Sequence, residues 1–167
     1  GDAHSAASAF ERAAANARVR GRAASIHHRA GVLWQDGARD LDRALACYEK
    51  VAAIDVAYLD AFERAEAILK KRDNPSGLVA LYDARIAAGG DATLVASLHA
   101  RRAGLAEQLG DRTDARDALR RALELTPDDV DSLKRYAELS MQDDDHRSAA
   151  EALIRIAVDC CQRYYPA

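Results

Sequence analysis

Three clusters of side chains in this 167-residue chain are of types that could do chemistry: the carboxylate run Asp143-Asp144-Asp145, the adjacent imidazoles His27-His28 and the adjacent thiols Cys160-Cys161. A calcium loop starting at Asp143 would need oxygen ligands at alternate positions, Gly at the sixth and Glu at the twelfth. Those two positions hold Ser148 and Ile154. The run therefore reads as a solvated turn whose carboxylates cap the helix after it. Adjacent residues on a helix point about 100° apart, so the two imidazoles do not converge on one metal; one reads as a helix contact and the other as exposed. Cys47, Cys160 and Cys161 make no disulfide framework and read as buried or incidental thiols, which favours a reducing, cytoplasmic setting.

Catalytic signatures are missing. The chain has no G-x-S-x-G elbow, no phosphate-cradling G-x-x-x-x-G-K-[ST], no G-x-G-x-x-G and no H-E-x-x-H. Asn74-Pro75-Ser76 is excluded as a glycosylation acceptor by its proline. The expectation is a non-enzymatic protein with no metal and no cofactor.

What must position any site is helical. Hydrophobic residues make up 49% of the chain and aromatics only 5%, with Ala, the best helix former, supplying much of the apolar share. With 24 basic and 27 acidic residues interspersed and a formal charge of −3, the chain lacks the basic footprint that nucleic-acid binding leaves. No stretch approaches the roughly 18 apolar residues that span a bilayer. The first residue is Gly1 where a start Met would stand, which is expected if the chain is a segment of a longer polypeptide.

Punctuation places the helices. Asn74-Pro75 and Thr126-Pro127 each set an N-cap residue before a proline. Gly110-Asp111 and Gly89-Gly90-Asp91 read as a helix stop followed by a new cap. These marks predict helices near 3–18, 21–36, 39–53, 57–71, 75–88, 91–109, 111–125, 128–141 and 145–163, sequential neighbours packing antiparallel. A small-or-apolar residue followed four positions on by an aromatic or Leu recurs at Ala6/Phe10, Ala44/Tyr48, Leu78/Tyr82, Ala115/Leu119 and Ala149/Leu153, at intervals of 38, 34, 37 and 34 residues. Such a period marks a repeat array whose units bury their apolar faces on one another.

The segment Ala103–Pro127 resembles a tetratricopeptide repeat through small Ala103, the Gly110-Asp111 turn, Ala115, Leu119, Ala122 and Pro127. Leu133, Tyr136, Ala137, Ala149 and Leu153 repeat the pattern. Gly31, Trp34, Ala44, Tyr48 and Val51 follow it with one extra residue in the turn at 36–40, and Phe62, Ala65, Leu69, Leu78 and Tyr82 follow it most loosely. The resemblance implies an all-α, right-handed α-solenoid of antiparallel helix pairs with about nine helices. Residues 1–20 would be the second helix of a truncated repeat, followed by repeats at 21–56, 57–90, 91–127 and 128–163 and a tail at 164–167. Leu78, where a small residue is usual, should open the second pair. His99 and Arg102 at apolar positions should leave the third pair's packing to Leu98, Leu105 and Leu109. Trp34 should be core, and the first helix should pack through Ala6, Phe10 and Ala13.

In that family the first helices line a concave groove for an extended peptide or a partner helix. The positions so implied are Ser25, His28, Gln35 and Asp36; Asp60, Glu63, Lys70 and Lys71; Ser97, Ala100, Gly104 and Glu107; and Lys134, Glu138 and Gln142. The Lys and Asn that clamp a chaperone's C-terminal carboxylate in one subgroup are replaced by His28, Val32 and Ala100. The implied function is a scaffold that binds a protein or peptide partner. Its alternatives are a structural spacer that self-associates through its ends and a regulatory segment of an enzyme.

Overall fold

The computed structural model describes residues 2–55 and 58–164, and all of their regular structure is helical. The helices are α1 Asp2–Ala15, α2 Arg20–Val32, α3 Leu41–Ile54, α4 Leu59–Lys71, α5 Pro75–Ala87, α6 Ala92–Gln108, α7 Arg112–Leu125, α8 Val130–Gln142 and α9 His146–Tyr164. A π-helical stretch, Leu33–Ala38, continues α2. The chain divides into two compact units, Gly1–Ala84 and Arg85–Ala167, a division that falls inside the predicted repeat 57–90. The proposed tail beyond Tyr164 lies outside the described residues.

The turns that lead into α3, α5, α7 and α9 are built the same way. One residue takes a left-handed conformation and the next caps the following helix. The left-handed residues are Arg39, Asp73, Gly110 and Asp144, with φ of 57°, 48°, 79° and 59°. The caps are Asp40, Asn74, Asp111 and Asp145, whose side chains accept from Arg43, Gly77, Asp114 and Ser148 backbone N–H groups at 2.9–3.2 Å. Such caps satisfy donors that a helix start otherwise leaves unpaired. The cap N–H reaches back five residues in three turns (Asn74 to Leu69, Asp111 to Ala106, Asp145 to Ser140) and six in the first, Asp40 to Trp34. The extra residue of the first repeat is thus taken up by the π-helical stretch, which widens the helix end without breaking it.

In the first unit the core comprises Ala7, Ala24, Ala30, Trp34, Ala44, Cys47, Tyr48, Val51, Ala61, Ala65 and Ile68. Helix α1 packs on both α2 and the π-helical stretch. Phe10 packs against the core as expected and Ala6 is half-buried, but the fully buried positions are Ala7 and Ala14, and Ala13 is exposed. In the second unit Ala103, Ala106, Ala115, Ala118, Leu119 and Leu139 form one cluster, and Leu123, Leu133, Ala137 and Ala152 another. Leu98 and Leu105 are buried as expected, but Leu109 is exposed because it follows the end of α6. Helix α8 starts later than Thr126-Pro127 suggests. The Thr126 hydroxyl bonds back to the Ala122 carbonyl, and Asp129 is the cap, accepting from the Ser132 N–H at 3.1 Å.

Counting from the caps exposes why the second pair differs. Eight residues before the caps at Asn74, Asp111 and Asp145 stand Glu66, Ala103 and Ala137; nine before Asp40, allowing for the extra residue, stands Gly31. Four after the caps stand Ala44, Leu78, Ala115 and Ala149. The second pair therefore has Glu66 and Leu78 where the others have only Gly or Ala, so its small residue is not Ala65. Small residues let helix backbones approach closely, and bulky ones hold them apart. Helices α2/α3, α6/α7 and α8/α9 pack intimately, whereas α4 and α5 hardly approach each other. Leu78 and Tyr82 fill the gap, and the Tyr82 hydroxyl donates to Glu66 Oε1 at 2.5 Å.

Candidate functional site: a polar face on α2, the π-helical stretch and α4

Three elements of the first unit bring polar side chains onto one face. His28 comes from α2, Gln35 and Asp36 from the π-helical stretch, and Asp60 and Arg64 from α4. His28 Nε2 meets Asp60 Oδ2, and the same carboxylate oxygen accepts from Arg64 Nε at 3.0 Å. Arg64 Nη1 reaches Gln35 Oε1 at 3.4 Å and Asp36 Oδ2 at 3.6 Å. Beneath them the buried Tyr48 hydroxyl donates to Gln35 Oε1 at 2.7 Å. The Tyr58 ring lies 4.9 Å from the His28 ring, centroid to centroid.

The electrostatics follow from this geometry. Burial would raise the Asp60 carboxyl, but the His28 hydrogen bond and then Arg64 outweigh it and hold the group below the usual carboxylate range. Burial works against the Arg64 guanidinium in the same way, and its partners, Asp60 first, reverse the effect. Burial pushes the Tyr48 phenol up to about 12, with Arg64 opposing, so it stays a protonated donor. Charged groups are thus held in fixed positions at a partly solvated face, able to offer both donors and acceptors to a polar ligand.

The remaining sequence-derived candidates divide by unit. Lys71 joins this face, lining an open cavity of about 380 Å³ with Gln35, Asp36, Arg39 and Leu41. Lys70 does not; it pairs with Glu66 at 2.8 Å. Glu63 is exposed, as is Ser25. In the second unit the Ser97 hydroxyl donates to its own helix at the Leu94 carbonyl. Glu107 is engaged by Arg135 Nη2 at 2.5 Å, and Arg135 Nη1 also bonds the Ala100 carbonyl at 3.2 Å. That guanidinium lies over Gly104, 3.5 Å from where a Cβ would stand. Glu107, Arg135, Glu138 and Gln142 border a cavity of about 260 Å³. Lys134 instead faces a second concavity, with Ala137, Glu138, Met141, Gln142 and Leu153. Sequence reasoning missed Arg64 and Arg135, the two guanidiniums that tie the faces together. Their signal was a basic residue one turn after Asp60 and another directly after Lys134, which looks like any solvated charge.

The other chemistry-bearing clusters are structural. Of the two imidazoles, His28, also a groove position implied by the resemblance, is part of the polar face. His27 is buried, and its pKa is lowered by burial and then by Lys50. The Cys47 thiol donates to Glu11 Oε1 at 3.1 Å and is pushed up to about 12, mainly by burial. Glu11 also accepts from the fully buried Trp34 indole at 3.2 Å. Asp143 and Asp145 flank Arg116 at 3.3 and 3.7 Å. Among the described residues no group of three or more His, Cys, Asp or Glu could hold a metal ion, and no helix is long and apolar enough to cross a membrane.

Residues 96–139 match the family model for the tetratricopeptide repeat. No curated protein matches the chain. Among solved structures, a MamA protein is similar over 86% of this chain and 77% of its own at 12% identity and a TM-score of 0.60. YrrB, described as a tetratricopeptide-repeat protein with an unusual peptide-binding site, is similar over 79% and 66% at 18% identity and a TM-score of 0.55. The N-terminal domain of stress-induced protein-1 from C. elegans is similar over 74% and 99% at 18% identity and a TM-score of 0.58. The turn-and-cap pattern recurs four times, the tetratricopeptide-repeat match falls on the repeat where that pattern is closest, and over most of its length the chain shares the fold of these solved structures.

Proposed function

We propose that the chain is a non-catalytic interaction module that binds an extended peptide or partner helix on the face formed by α2, the π-helical stretch and α4. The observation that carries this reading is the convergence of His28, Gln35, Asp60 and Arg64 from three elements into one hydrogen-bonded network backed by Tyr48 and Tyr58. A network locked from behind presents its outward donors and acceptors without losing side-chain entropy on binding. Asp36, Asp60 and the exposed Glu63 offer acceptors, while Arg64 and Lys71 offer donors, so the ligand is a peptide of mixed charge. The peptide-binding site named for YrrB is consistent with a fold that serves such recognition.

The test is selection from a displayed peptide library, followed by calorimetry on the chain and on Arg64→Gln. Loss of one charged hydrogen bond should weaken a selected peptide by about tenfold, while Arg135→Gln in the other unit should leave it unchanged. Equal affinity for the Arg64→Gln variant would remove this face from the function.

A further inference from the structure

Helix α9 carries an apolar stripe that the rest of the second unit does not cover. Ala150, Leu153, Ile154, Ala157, Val158 and Cys161 are all exposed and follow the 3.6-residue spacing of a single helix face. Leu153, Ile154 and Val158 are each at least half exposed, as is the neighbouring Met141 at the end of α8.

Comparison with the other second helices shows that this is more than an uncovered repeat end. Counting from the caps, Leu153 corresponds to Leu119 of α7, which is fully buried in a cluster with Leu139 of α8. A following first helix would cover Leu153 in the same way. It would not cover the next position. Ile154 corresponds to Glu49, Asp83 and Arg120 in the other three repeats, and Val158 to the small Ala53 and Ala87 and the exposed Glu124. The chain places charge at the first of these positions in every repeat but the last. An apolar stripe wider than repeat stacking requires implies a wider cover.

We infer that this stripe is a self-association surface, on which the α9 helices of two copies pack against each other about a two-fold axis. The surface is self-complementary in shape. A ridge of Ile154, Ala157 and Val158 lies beside the concavity of about 320 Å³ bordered by Ala137, Met141 and Leu153, so each copy offers both the ridge and its seat, as an isologous contact demands. It is self-compatible in charge, because its rim carries Arg147 and Lys134 against Glu151 and Glu138. Covering the exposed apolar side chains removes roughly 400–500 Å² per copy, about 800–1,000 Å² in all, below the range of stable interfaces and within that of weak, transient ones. The contact is therefore a weak, concentration-dependent dimer.

Sedimentation equilibrium of the 167-residue chain under reducing conditions, from micromolar to several hundred micromolar, tests this. The mass should rise from one chain towards two and stop there. Ile154→Glu/Val158→Glu places charge at exposed sites where α7 carries Arg120 and Glu124; it should keep the mass of one chain throughout, with an unchanged circular dichroism spectrum. A chain that stays single at the highest concentration would overturn the inference, as would a variant that associates as the original does. Mass rising beyond two chains would also overturn it. So would association lost on Ala80→Glu, in the apolar groove between α3 and α5 lined by Leu45, Ala52, Leu69, Ala80 and Leu81, but kept in the α9 variant.

Discussion

Two glycines on α2 should respond to the same substitution with opposite signs. A Cβ at Gly31 would stand 2.6 Å from Tyr48 Cε1 and 3.0 Å from Cδ1 and Cζ, about 0.8 Å short of the 3.4 Å at which ordinary contact begins. A flexible neighbour would give way, but Tyr48 is fully buried and its hydroxyl is tied to Gln35, which is tied in turn to Arg64. Gly21, ten residues earlier, has nothing within 4 Å of its would-be Cβ. Replacing a helical glycine by alanine stabilises by about 1 kcal/mol in the helix interior and somewhat less near its start. Gly21→Ala should therefore stabilise by about 0.5–1 kcal/mol. In Gly31→Ala the same gain is set against overpacking of about 1–3 kcal/mol, leaving a net loss of up to about 2 kcal/mol. Each kcal/mol shifts the melting temperature of a unit this size by about 4–8 °C. Urea and thermal melts of the two variants measure the difference. Adding Tyr48→Leu to Gly31→Ala should make the alanine favourable in that background. If Gly31→Ala stabilised the chain as much as Gly21→Ala does, the close helix crossing at Tyr48, and the register of the first repeat with it, would be wrong.

Other outcomes follow from the same structure. Leu119→Ala, at a fully buried position between α7 and α8, should cost about 2–5 kcal/mol by chemical denaturation. Ala115→Phe should cost about 1–3 kcal/mol through overpacking of the α6/α7 pair. Asp144→Gly should stabilise by about 0.5–1 kcal/mol in the same assay, since it relieves a left-handed non-glycine residue. In the folded chain a thiol reagent should modify Cys160 and Cys161 rapidly, and Cys47, buried with its pKa near 12, only on unfolding. Because the folded pKa of His27 lies below its unfolded value of 6.5, the unfolded chain takes up that proton first. The stability linked to His27 is therefore present above pH 6.5 and lost as pH falls towards the folded pKa; His27→Asn should flatten the melting temperature across that window.

Much of the helical frame is legible in the sequence because the punctuation is chemical. Asp40, Asn74, Asp111 and Asp145 recur at 34, 37 and 34 residues, and each is an oxygen acceptor where a helix start needs one. The left-handed residue before each cap is legible only at Gly110; at Arg39, Asp73 and Asp144 the turn geometry overrides the preference for glycine. The second pair was readable only in part. Leu78 signals a wide pair, but Glu66 does not announce itself as the residue at the tight crossing, since the cap must be fixed before the count can be made. On the polar face, His28, Gln35 and Asp60 were placed by family position, whereas Arg64 was not, because an Asp–Arg spacing of four is common on solvated helices. The exposure of Leu153 was hidden for a related reason: its repeat position predicts burial, whereas no helix among the described residues of the second unit covers it.

The most direct test of the account is amide chemical-shift mapping of the isotopically labelled chain during titration with a selected peptide. The proposed function predicts that the shifted residues cluster at His28, Gln35, Asp60 and Arg64 on α2, the π-helical stretch and α4, and that Arg64→Gln weakens the response there. Shifts confined to the α3–α5 groove, or to the Arg135–Glu107 face of the second unit, would contradict it.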